Sequence, residues 1–360
     1  MIDLALLPDG GLGWLDGSGP ESHLVLSTRI RLARNLVDYR FASRATESDR
    51  EAILQTIERA ADASVTLHRA MALRLDKLPS LDRQLLHERH LVSKELAVPE
   101  PGAVPRRASA VLLGQDVGAM VNEEDHLRLQ ALVSGLALGV AYDRVRRADT
   151  ELGQQVGFAF HPQFGYLTSC PTNVGTGLRA SILIHLPGLV LTKEIHRVLQ
   201  GLGQVGLTYR GLYGEGSEVV GNFFQLSNQT TLGQSEGELL DHLGRMVGQV
   251  VGHEEKARQI LLRDAPSILE DKVWRAFGLL RHARALGFEE AMNLLSGVRL
   301  GVGLGLVPDV GMYTVNRLLI ETQPAHVLAM AGGTLDEAEL PVRRARHVRT
   351  ILEAEASRRG

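Results

Sequence analysis

The alternation of apolar and polar residues predicts a mixed α and β region followed by a region made only of helices. Strand-like patterns occur in 23–36, 108–116, the start of 115–152, 204–212 and 220–227. The remainder of 115–152 has the spacing of a long amphipathic helix. Past residue 256 the apolar positions keep helical spacing with almost no strand signal.

Two segments carry signals for the start of a helix. Thr46 opens TESDREAILQTIERAADAS (46–64) as an N-cap, followed by an early glutamate. Ser235 and Glu238 have the spacing of a capping box in SEGELL. We therefore expect helices to begin at both places.

At 360 residues the chain exceeds one compact core, so we expect more than one domain. Residues 1–21 are rich in Gly, Pro, Ser and Asp and predict an irregular lead-in. Residues 22–256 predict an α+β catalytic domain, and 257–360 an all-helical C-terminal domain. The glycines of GVGLGLV (301–307) lack the strand, turn and acidic residue of a dinucleotide site, which favours a connection between helices.

Composition and charge narrow the class of protein. Hydrophobic residues make up 44% and charged residues 22%, which is typical of a globular protein. A net charge of −3 gives no indication of binding to nucleic acid or to an anionic membrane. The single cysteine excludes an internal disulfide framework and a thiolate zinc site, and it suits a reducing compartment. With no signal-peptide pattern and no long apolar run, we expect a cytoplasmic protein.

Five arginines stand at the edges of predicted elements, beside small or turn-forming residues: Arg29, Arg31, Arg128, Arg179 and Arg210. Arg29 and Arg31 alternate along a predicted strand and so face one side of it. Any one of the five could be a solvated surface arginine. As a set they suit a triphosphate, because guanidinium groups bind phosphate oxygens bidentately. Neither the phosphate loop GxxxxGK[ST] nor the protein-kinase HRD and DFG motifs occur.

Carboxylates and the cysteine provide further candidate chemistry. NEEDHLR (122–128) places acids just before a predicted helix, with Glu124 and Arg128 one helical turn apart; acids there also favour a helix dipole. Glu215 lies between glycines and could be a turn residue. Cys170 precedes a turn that we expect to lead into a helix, where a thiol has a lowered pKa, although a lone cysteine is commonly a small buried apolar residue.

Four segments in this order, STRIRLARN, NEEDHLR, SCPTNVGTGLRAS and RGLYGEGSE, resemble the motifs of the phosphagen (guanidino) kinases over residues 22–256. The closer resemblance is to bacterial protein-arginine kinases of the McsB type. STRIR begins at residue 27, which leaves no room for the helical N-terminal domain of creatine and arginine kinases, and a helical extension follows instead. The resemblance implies an antiparallel sheet flanked by helices, and transfer of the γ-phosphoryl group of ATP to arginine side chains.

The resemblance also implies roles for individual residues. Glu124 would hold the substrate guanidinium with Glu215 as its partner, and Cys170 would lie beside the reacting nitrogen. His90, in ERHLVSKEL, would contact the nucleotide or else be a surface histidine at a helix end. ATP would carry Mg²⁺ without direct protein side-chain ligands to the metal. The nucleotide-binding residues implied are Ser27, Thr28, Arg29, Ile30, Arg31, His90, Arg128, Arg179, Ala180, Ser181, Ile182, Leu183, Arg210, Gly211, Leu212, Tyr213, Gly214 and Glu215.

The C-terminal region departs from the family pattern at one place. Protein-arginine kinases carry an RDxxRA motif that forms a phosphoarginine pocket, and the corresponding segment here is LPVRRA (340–345). Arg344 and Ala345 match, whereas Leu340 and Pro341 replace the arginine and the aspartate. We therefore expect a degenerate phosphoarginine site or a solvated basic helix face.

The resemblance implies a homodimer whose partners are protein substrates with exposed arginines, a Clp-type unfoldase, a zinc-binding activator and an opposing arginine phosphatase. Neither nucleic acid nor membrane is expected as a partner. Two other functions stay open: a kinase of free arginine or another small guanidino compound, and a non-catalytic regulatory adaptor. The presence of both glutamates, the cysteine and all five arginines argues against an adaptor.

Overall fold

The computed structural model describes residues 2–97, 106–212 and 219–359. Its strands are β1 Val25–Arg34, β2 Met71–Arg74, β3 Ala110–Leu113, β4 Gly118–Val121, β5 Leu127–Ser134, β6 Phe160–His161, β7 Gly165–Tyr166, β8 Leu178–His185, β9 Leu207–Arg210 and β10 Phe223–Asn228. Its helices are α1 Glu47–Asp62, α2 Ser80–Glu88, α3 Lys94–Ala97, α4 Leu138–Gly153, α5 Pro187–Leu191, α6 Ile195–Gln204, α7 Glu236–Asp264, α8 Pro266–His282, α9 Phe288–Gly303, α10 Met312–Glu321, α11 Pro324–Met330 and α12 Leu340–Arg359.

Eight of these strands form one antiparallel sheet in the order β2-β3-β4-β5-β1-β8-β10-β9, and β6 and β7 form a separate hairpin. Strand β1 is central and pairs Arg29 with Ser181 and Arg31 with Arg179 on β8. Residues opposite one another in a ladder lie on the same face, so these arginines share one face of the sheet. The other face is apolar, contributes Ile30 and Ile182 to the larger core, and packs against helices that include α4 and α7.

The helical region past residue 256 is confirmed among the described residues, where α7 to α12 follow one another without a strand. Helix α7 is continuous from 236 to 264, so the division expected at residue 256 falls inside it. The N-terminal lead-in forms three short 3₁₀ turns. Its Trp14 and Leu15 are buried in a second core together with the C-terminal helices and with Phe223 of the sheet.

Both expected helix starts form, and each has a capping box, although the box was expected only at Ser235. Thr46 caps α1 with Asp49 as the reciprocal partner, and Ser235 caps α7 with Glu238. These caps satisfy backbone N–H groups that have no partner inside the helix. Over the described ranges, none of the helices combines the length and the apolar character that crossing a bilayer requires.

Two expectations about local structure are wrong. The acids of 122–126 precede strand β5 instead of a helix, and Cys170 is followed by a single 3₁₀ turn, Pro171–Asn173, and then by strand β8. Both strands lie inside the sheet, where pairing with strands that are distant in the sequence decides the structure and overrides the local pattern.

Two buried histidines are held in the neutral form by their hydrogen bonds. His185 accepts at Nδ1 from Arg299 (3.2 Å), so its Nε2 donates to Ser296 Oγ (2.8 Å). His126 accepts at Nδ1 from the Leu36 N–H (3.0 Å) and donates from Nε2 to a backbone carbonyl (2.8 Å). Burial lowers the pKa of both, well below the usual value for His185, where Arg299 and Arg258 add repulsion.

The protein is therefore expected to lose stability on mild acidification. Because the folded-state pKa of these histidines lies below about 6.5, the unfolded chain binds more protons as the pH falls through that value, and folding loses up to about 1.4 kcal/mol per pH unit per histidine. Urea unfolding between pH 5 and 7.5 measures the slope. His185→Gln should flatten it, and the exposed His196→Gln is the control. A slope that is unchanged in His185→Gln contradicts this assignment.

Candidate active site

A cavity of about 560 Å³ opens on the face of the sheet that carries the arginines. It collects side chains from five strands of the sheet and from the segments around residues 90, 123 and 170. Within the described chain its charged lining consists of seven cations, Arg29, Arg31, Lys94, Arg106, Arg128, Arg179 and Arg210, and three carboxylates, Glu95, Glu123 and Glu124. This excess of positive charge favours a polyanionic ligand.

Arg29 and Arg31 of β1 line the cavity. Arg29 donates to Gln225 Oε1 (2.8 Å) and to Ser181 Oγ (3.4 Å), neither of which is charged. Burial, together with Arg128 and Arg179, lowers the pKa of Arg29 to about 10. The pKa of Arg31 falls well below its ordinary value for the same reasons, and its Nε has no hydrogen-bond partner among the described residues. A bound phosphate chain would relieve this repulsion and supply the missing acceptor.

Arg128 has two carboxylate partners in the cavity. Its guanidinium donates to Glu123 (2.6 Å) and to Glu124 (3.0 Å). Burial alone would lower the pKa of Arg128, but Glu123, Glu124 and Asp125 outweigh it and raise the pKa. Glu123 is almost fully buried, whereas the Glu124 side chain is 39% exposed at the cavity. Glu124 is therefore the carboxylate available to a second substrate.

The residues after Glu124 fix the loop that carries the cysteine. Asp125 Oδ1 accepts from the backbone N–H of Ser169 (2.6 Å) and from Asn35 Nδ2 (2.7 Å), and the same Asn35 side chain accepts from the His126 N–H (2.9 Å). These buried bonds hold the NEEDH segment and Ser169 together, and both segments line one cavity. Asp125 and Asn35 therefore position the loop that carries Cys170.

Cys170 lies in the cavity wall, partly exposed, with its Sγ 3.0 Å from Thr172 Oγ1. The two glycines that follow are required by close approach of the backbone. Gly175 has φ +112°, and a Cβ there would lie 2.2 Å from the Thr231 carbonyl oxygen; Gly177 has φ +65°, and its Cβ would lie 2.6 Å from the Ala33 carbonyl oxygen. No side chain fits at either position.

His90 belongs to the cavity wall and is not a surface histidine at a helix end. It is buried, adopts φ +60°, and packs edge-on against Trp14 with 5.2 Å between the ring centroids. Gln130 donates to its carbonyl (3.0 Å). Burial, Arg29 and His87 lower the pKa of His90 well below the usual value, so it presents a neutral imidazole.

Several residues of the implied nucleotide set do not reach the cavity. Thr28 points to the opposite face, where its hydroxyl donates to the Gly135 carbonyl (2.6 Å). Ile30, Ala180 and Ile182 lie in the core on that face as well. Five more lie outside the lining: Ser27, Ser181, Leu183, Gly211 and Leu212. Of these, Ser181 contacts a lining residue, because its hydroxyl accepts from Arg29. The calls on Tyr213, Gly214 and Glu215 fall outside the described residues.

The structure adds residues that the sequence did not single out. Gln225 orients Arg29, Glu123 pairs with Arg128, and Arg106 and Glu95 line the cavity. Only Glu123 had a signal in the sequence, as the neighbour of Glu124 in NEEDH. Gln225 becomes visible only through the pairing of β10 with β8, which no local pattern specifies.

Both residues of the implied phosphoarginine site, Arg344 and Ala345, are buried. Arg344 is buried, with its Nε donating to the Thr322 carbonyl (2.7 Å) and its Nη1 to the Leu286 carbonyl (2.8 Å). Ala345 is fully buried in the second core. In this conformation Arg344 stabilises the junction after α10 through backbone acceptors.

A cationic cavity that also holds the partly exposed Glu124 and a thiol is suited to transfer of a phosphoryl group from a nucleotide to a cationic acceptor. Fold and site together thus define a phosphotransferase. Residues 52–257 match the family model described as "ATP:guanido phosphotransferase, C-terminal catalytic domain", and 266–359 match "Protein-arginine kinase McsB C-terminal domain".

Relatives cover nearly the whole chain. A protein-arginine kinase of Symbiobacterium thermophilum is 46% identical over 95% of this chain and 96% of its own length, and one of Geobacillus stearothermophilus is 42% identical over 96% and 95%. Lombricine kinase shares the fold with a TM-score of 0.57 at 23% identity, covering 70% of both chains. The chain therefore belongs to the protein-arginine kinase family of ATP:guanido phosphotransferases, and it is an enzyme.

Proposed function

We propose that this enzyme transfers the γ-phosphoryl group of MgATP to arginine side chains of other proteins. The observation that carries the proposal is Glu124, half-exposed and bonded to Arg128, in one cavity with Cys170 and with the partly buried, under-compensated Arg29 and Arg31. The relatives named protein-arginine kinase support the choice of arginine as acceptor.

On the donor side, the arginines bind and orient the phosphate chain. Arg29 and Arg31 come from one strand and Arg179 from the adjacent strand, so their spacing is fixed by the sheet. A rigid cationic wall stabilises negative charge on the phosphoryl group in a loose, in-line transition state without reorganising. A Mg²⁺ ion carried on the nucleotide would supply further positive charge beside these arginines. Glu123 and Glu124 are engaged with Arg128, which fits a metal that enters on the nucleotide.

On the acceptor side, the guanidinium must be oriented and must lose a proton. Arginine has a pKa above about 12, so at neutral pH its nitrogens have no free lone pair for attack. Glu124 can accept hydrogen bonds from the guanidinium and take its proton as the N–P bond forms. Cys170 lines the same cavity, and its polarisable sulfur would contact the cationic acceptor there. Glu215 is the proposed second carboxylate and lies outside the described residues.

The proposal is tested by incubating the enzyme with MgATP and either a basic protein or free arginine. Products are analysed by mass spectrometry without acid, because the N–P bond is acid-labile. Phosphoarginine in the protein, with little free phosphoarginine, is the expected result. Efficient phosphorylation of free arginine alone would make the enzyme a kinase of small guanidino compounds, and no product on either acceptor would leave only an adaptor.

We also propose a cytoplasmic setting in which phosphoarginine marks proteins for a Clp-type protease, as part of protein quality control. The partners would be the associated unfoldase, a zinc-binding activator and an opposing arginine phosphatase, with the kinase acting as a homodimer. Family resemblance alone supports these partners. Copurification of a tagged, catalytically inactive Glu124→Gln kinase with a Clp-type unfoldase tests the first of them.

A further inference from the structure

Aromatic residues are concentrated in one exposed hairpin. The segment 158–166, which contains β6 and β7, holds four of the chain's 16 Phe, Trp and Tyr residues in nine positions. Phe160 is 58% exposed and Phe164 is 49% exposed. Scattered apolar residues are normal on a protein surface, but clustered ones commonly mark an interaction site.

The hairpin is supported by the side chains of Tyr166 and Arg34. Tyr166 packs edge-on against Phe160 with 5.3 Å between the centroids, and the Arg34 guanidinium lies 3.5 Å from the Tyr166 ring centroid on one face. Arg34 is buried and paired with Asp149 (2.9 Å). The exposed rings of Phe160 and Phe164 are therefore presented by a fixed support, which reduces the entropy lost when a partner binds.

The same hairpin is attached to the cysteine loop on both sides. Tyr166 and Gly175 exchange backbone hydrogen bonds of 2.8 and 3.2 Å, and the Leu167 N–H donates to the Ala159 carbonyl (2.9 Å). Cys170 is four residues beyond Tyr166, so the two α-carbons are at most about 14 Å apart. An extended peptide with its arginine at Cys170 would reach the hairpin with residues about four positions away.

A shallow depression of about 430 Å³ lies beside the hairpin, lined by Asp149, Thr150, Gly153, Phe158, Phe160 and Tyr166. One oxygen of the Asp149 carboxylate is bonded to Arg34, and the other has no hydrogen-bond partner among the described residues. Aromatic rings beside a carboxylate suit a cationic or long aliphatic side chain, through contact with the ring faces and through charge.

We propose that this aromatic hairpin docks the segment of a protein substrate that flanks the arginine being phosphorylated, holding a lysine, arginine or long aliphatic side chain against Phe160 and Phe164. The inference rests on the proposed function, since it assumes a polypeptide acceptor. The hairpin then selects substrates by sequence around the target arginine without touching the reacting atoms.

The test is the double variant Phe160→Ser with Phe164→Ser, assayed with an unfolded basic protein as acceptor. The KM for the protein is expected to rise about tenfold, with kcat and the KM for ATP unchanged, because only docking is lost. A heptapeptide with one arginine among glycines should show no such rise. Ile268→Ser, which removes an even more exposed apolar side chain from α8, is the control and should behave as wild type.

The outcomes are distinguishable. If wild type phosphorylates proteins and the double variant has an unchanged protein KM, or loses kcat with the heptapeptide as well, the docking surface is wrong while the proposed function stands. If light scattering shows that the double variant changes only its assembly state, the hairpin is a contact between copies and the inference is overturned. If wild type phosphorylates no protein, the proposed function itself fails.

Discussion

Replacing Glu124 by glutamine is expected to abolish phosphoarginine formation while ATP binding persists. A glutamine keeps an oxygen that can accept from Arg128, as Glu124 does now at 3.0 Å, so the nucleotide side of the cavity stays in place. The variant loses the negative charge that holds a guanidinium and the base that accepts its proton, and loss of such a base typically costs about 10²–10⁴ in rate. Calorimetry measures ATP affinity, and phosphoarginine is measured by mass spectrometry at neutral pH.

The neighbouring Glu123→Gln provides a matched control in the same segment. Glu123 is buried, pairs with Arg128 at 2.6 Å, and also accepts the Glu124 backbone N–H at 2.8 Å. Its replacement removes one of the two negative charges that neutralise the Arg128 guanidinium. The free energy of unfolding and the affinity for ATP should therefore both fall. Full activity of Glu124→Gln, or the same defect in both variants, would contradict a role for Glu124 specific to the acceptor.

Part of the site follows from sequence because it depends on local chemistry. Arg29 and Arg31 share a face because a strand has a period of two. Gly175 and Gly177 stand where the neighbouring backbone leaves no space for a Cβ atom. The NEEDH segment fails as a helix start because the decisive factor is long-range. Residues 127–134 pair with β1 and β4, and the pairing overrides a local pattern that fits either structure.

The contact between Glu88 and His326, which joins the C-terminal helices to the segment beside the cavity, could not be predicted from the sequence. Glu88 and His326 are 238 positions apart, and neither lies in a recognisable motif. Their meeting depends on how α11 packs on α2, and such packing is set by the combined shape of two cores. Arg344 in LPVRRA is a second case of long-range packing. It stabilises the fold through hydrogen bonds to distant carbonyl groups, which its sequence neighbours do not indicate.

Glu88→Gln is expected to weaken both the fold and ATP binding. The Glu88 carboxylate accepts from the backbone N–H groups of Ala325 (2.9 Å) and His326 (3.2 Å), and from His326 Nδ1 (2.7 Å). Arg89 donates to the other ring nitrogen of His326 (3.0 Å), which fixes the tautomer with its proton on Nδ1. Both oxygens of Glu88 accept from N–H donors. The NH₂ group of a glutamine at position 88 would face one of these donors, and buried N–H groups would lose their acceptor.

The loss of unfolding free energy should be about 3 kcal/mol, since charged hydrogen bonds are broken away from water. Urea unfolding measures it, with Asp271→Asn in an exposed pair on α8 as the control that should change little. His326→Gln combined with Glu88→Gln should cost less than the sum of the two single variants, because both remove the same contact. Additive losses would show that the two residues act separately.

The effect on ATP arises from the position of the pair in the chain. Glu88 ends α2, Arg89 follows, and His90 comes next in a left-handed conformation in the wall of the nucleotide cavity. Such a conformation persists in a non-glycine residue only when its surroundings hold it. Loosening residues 88 and 89 therefore releases His90, and the Kd for ATP should rise several-fold at a temperature where the variant is still folded. An unchanged Kd in a destabilised variant would mean that the clamp supports the fold without positioning His90.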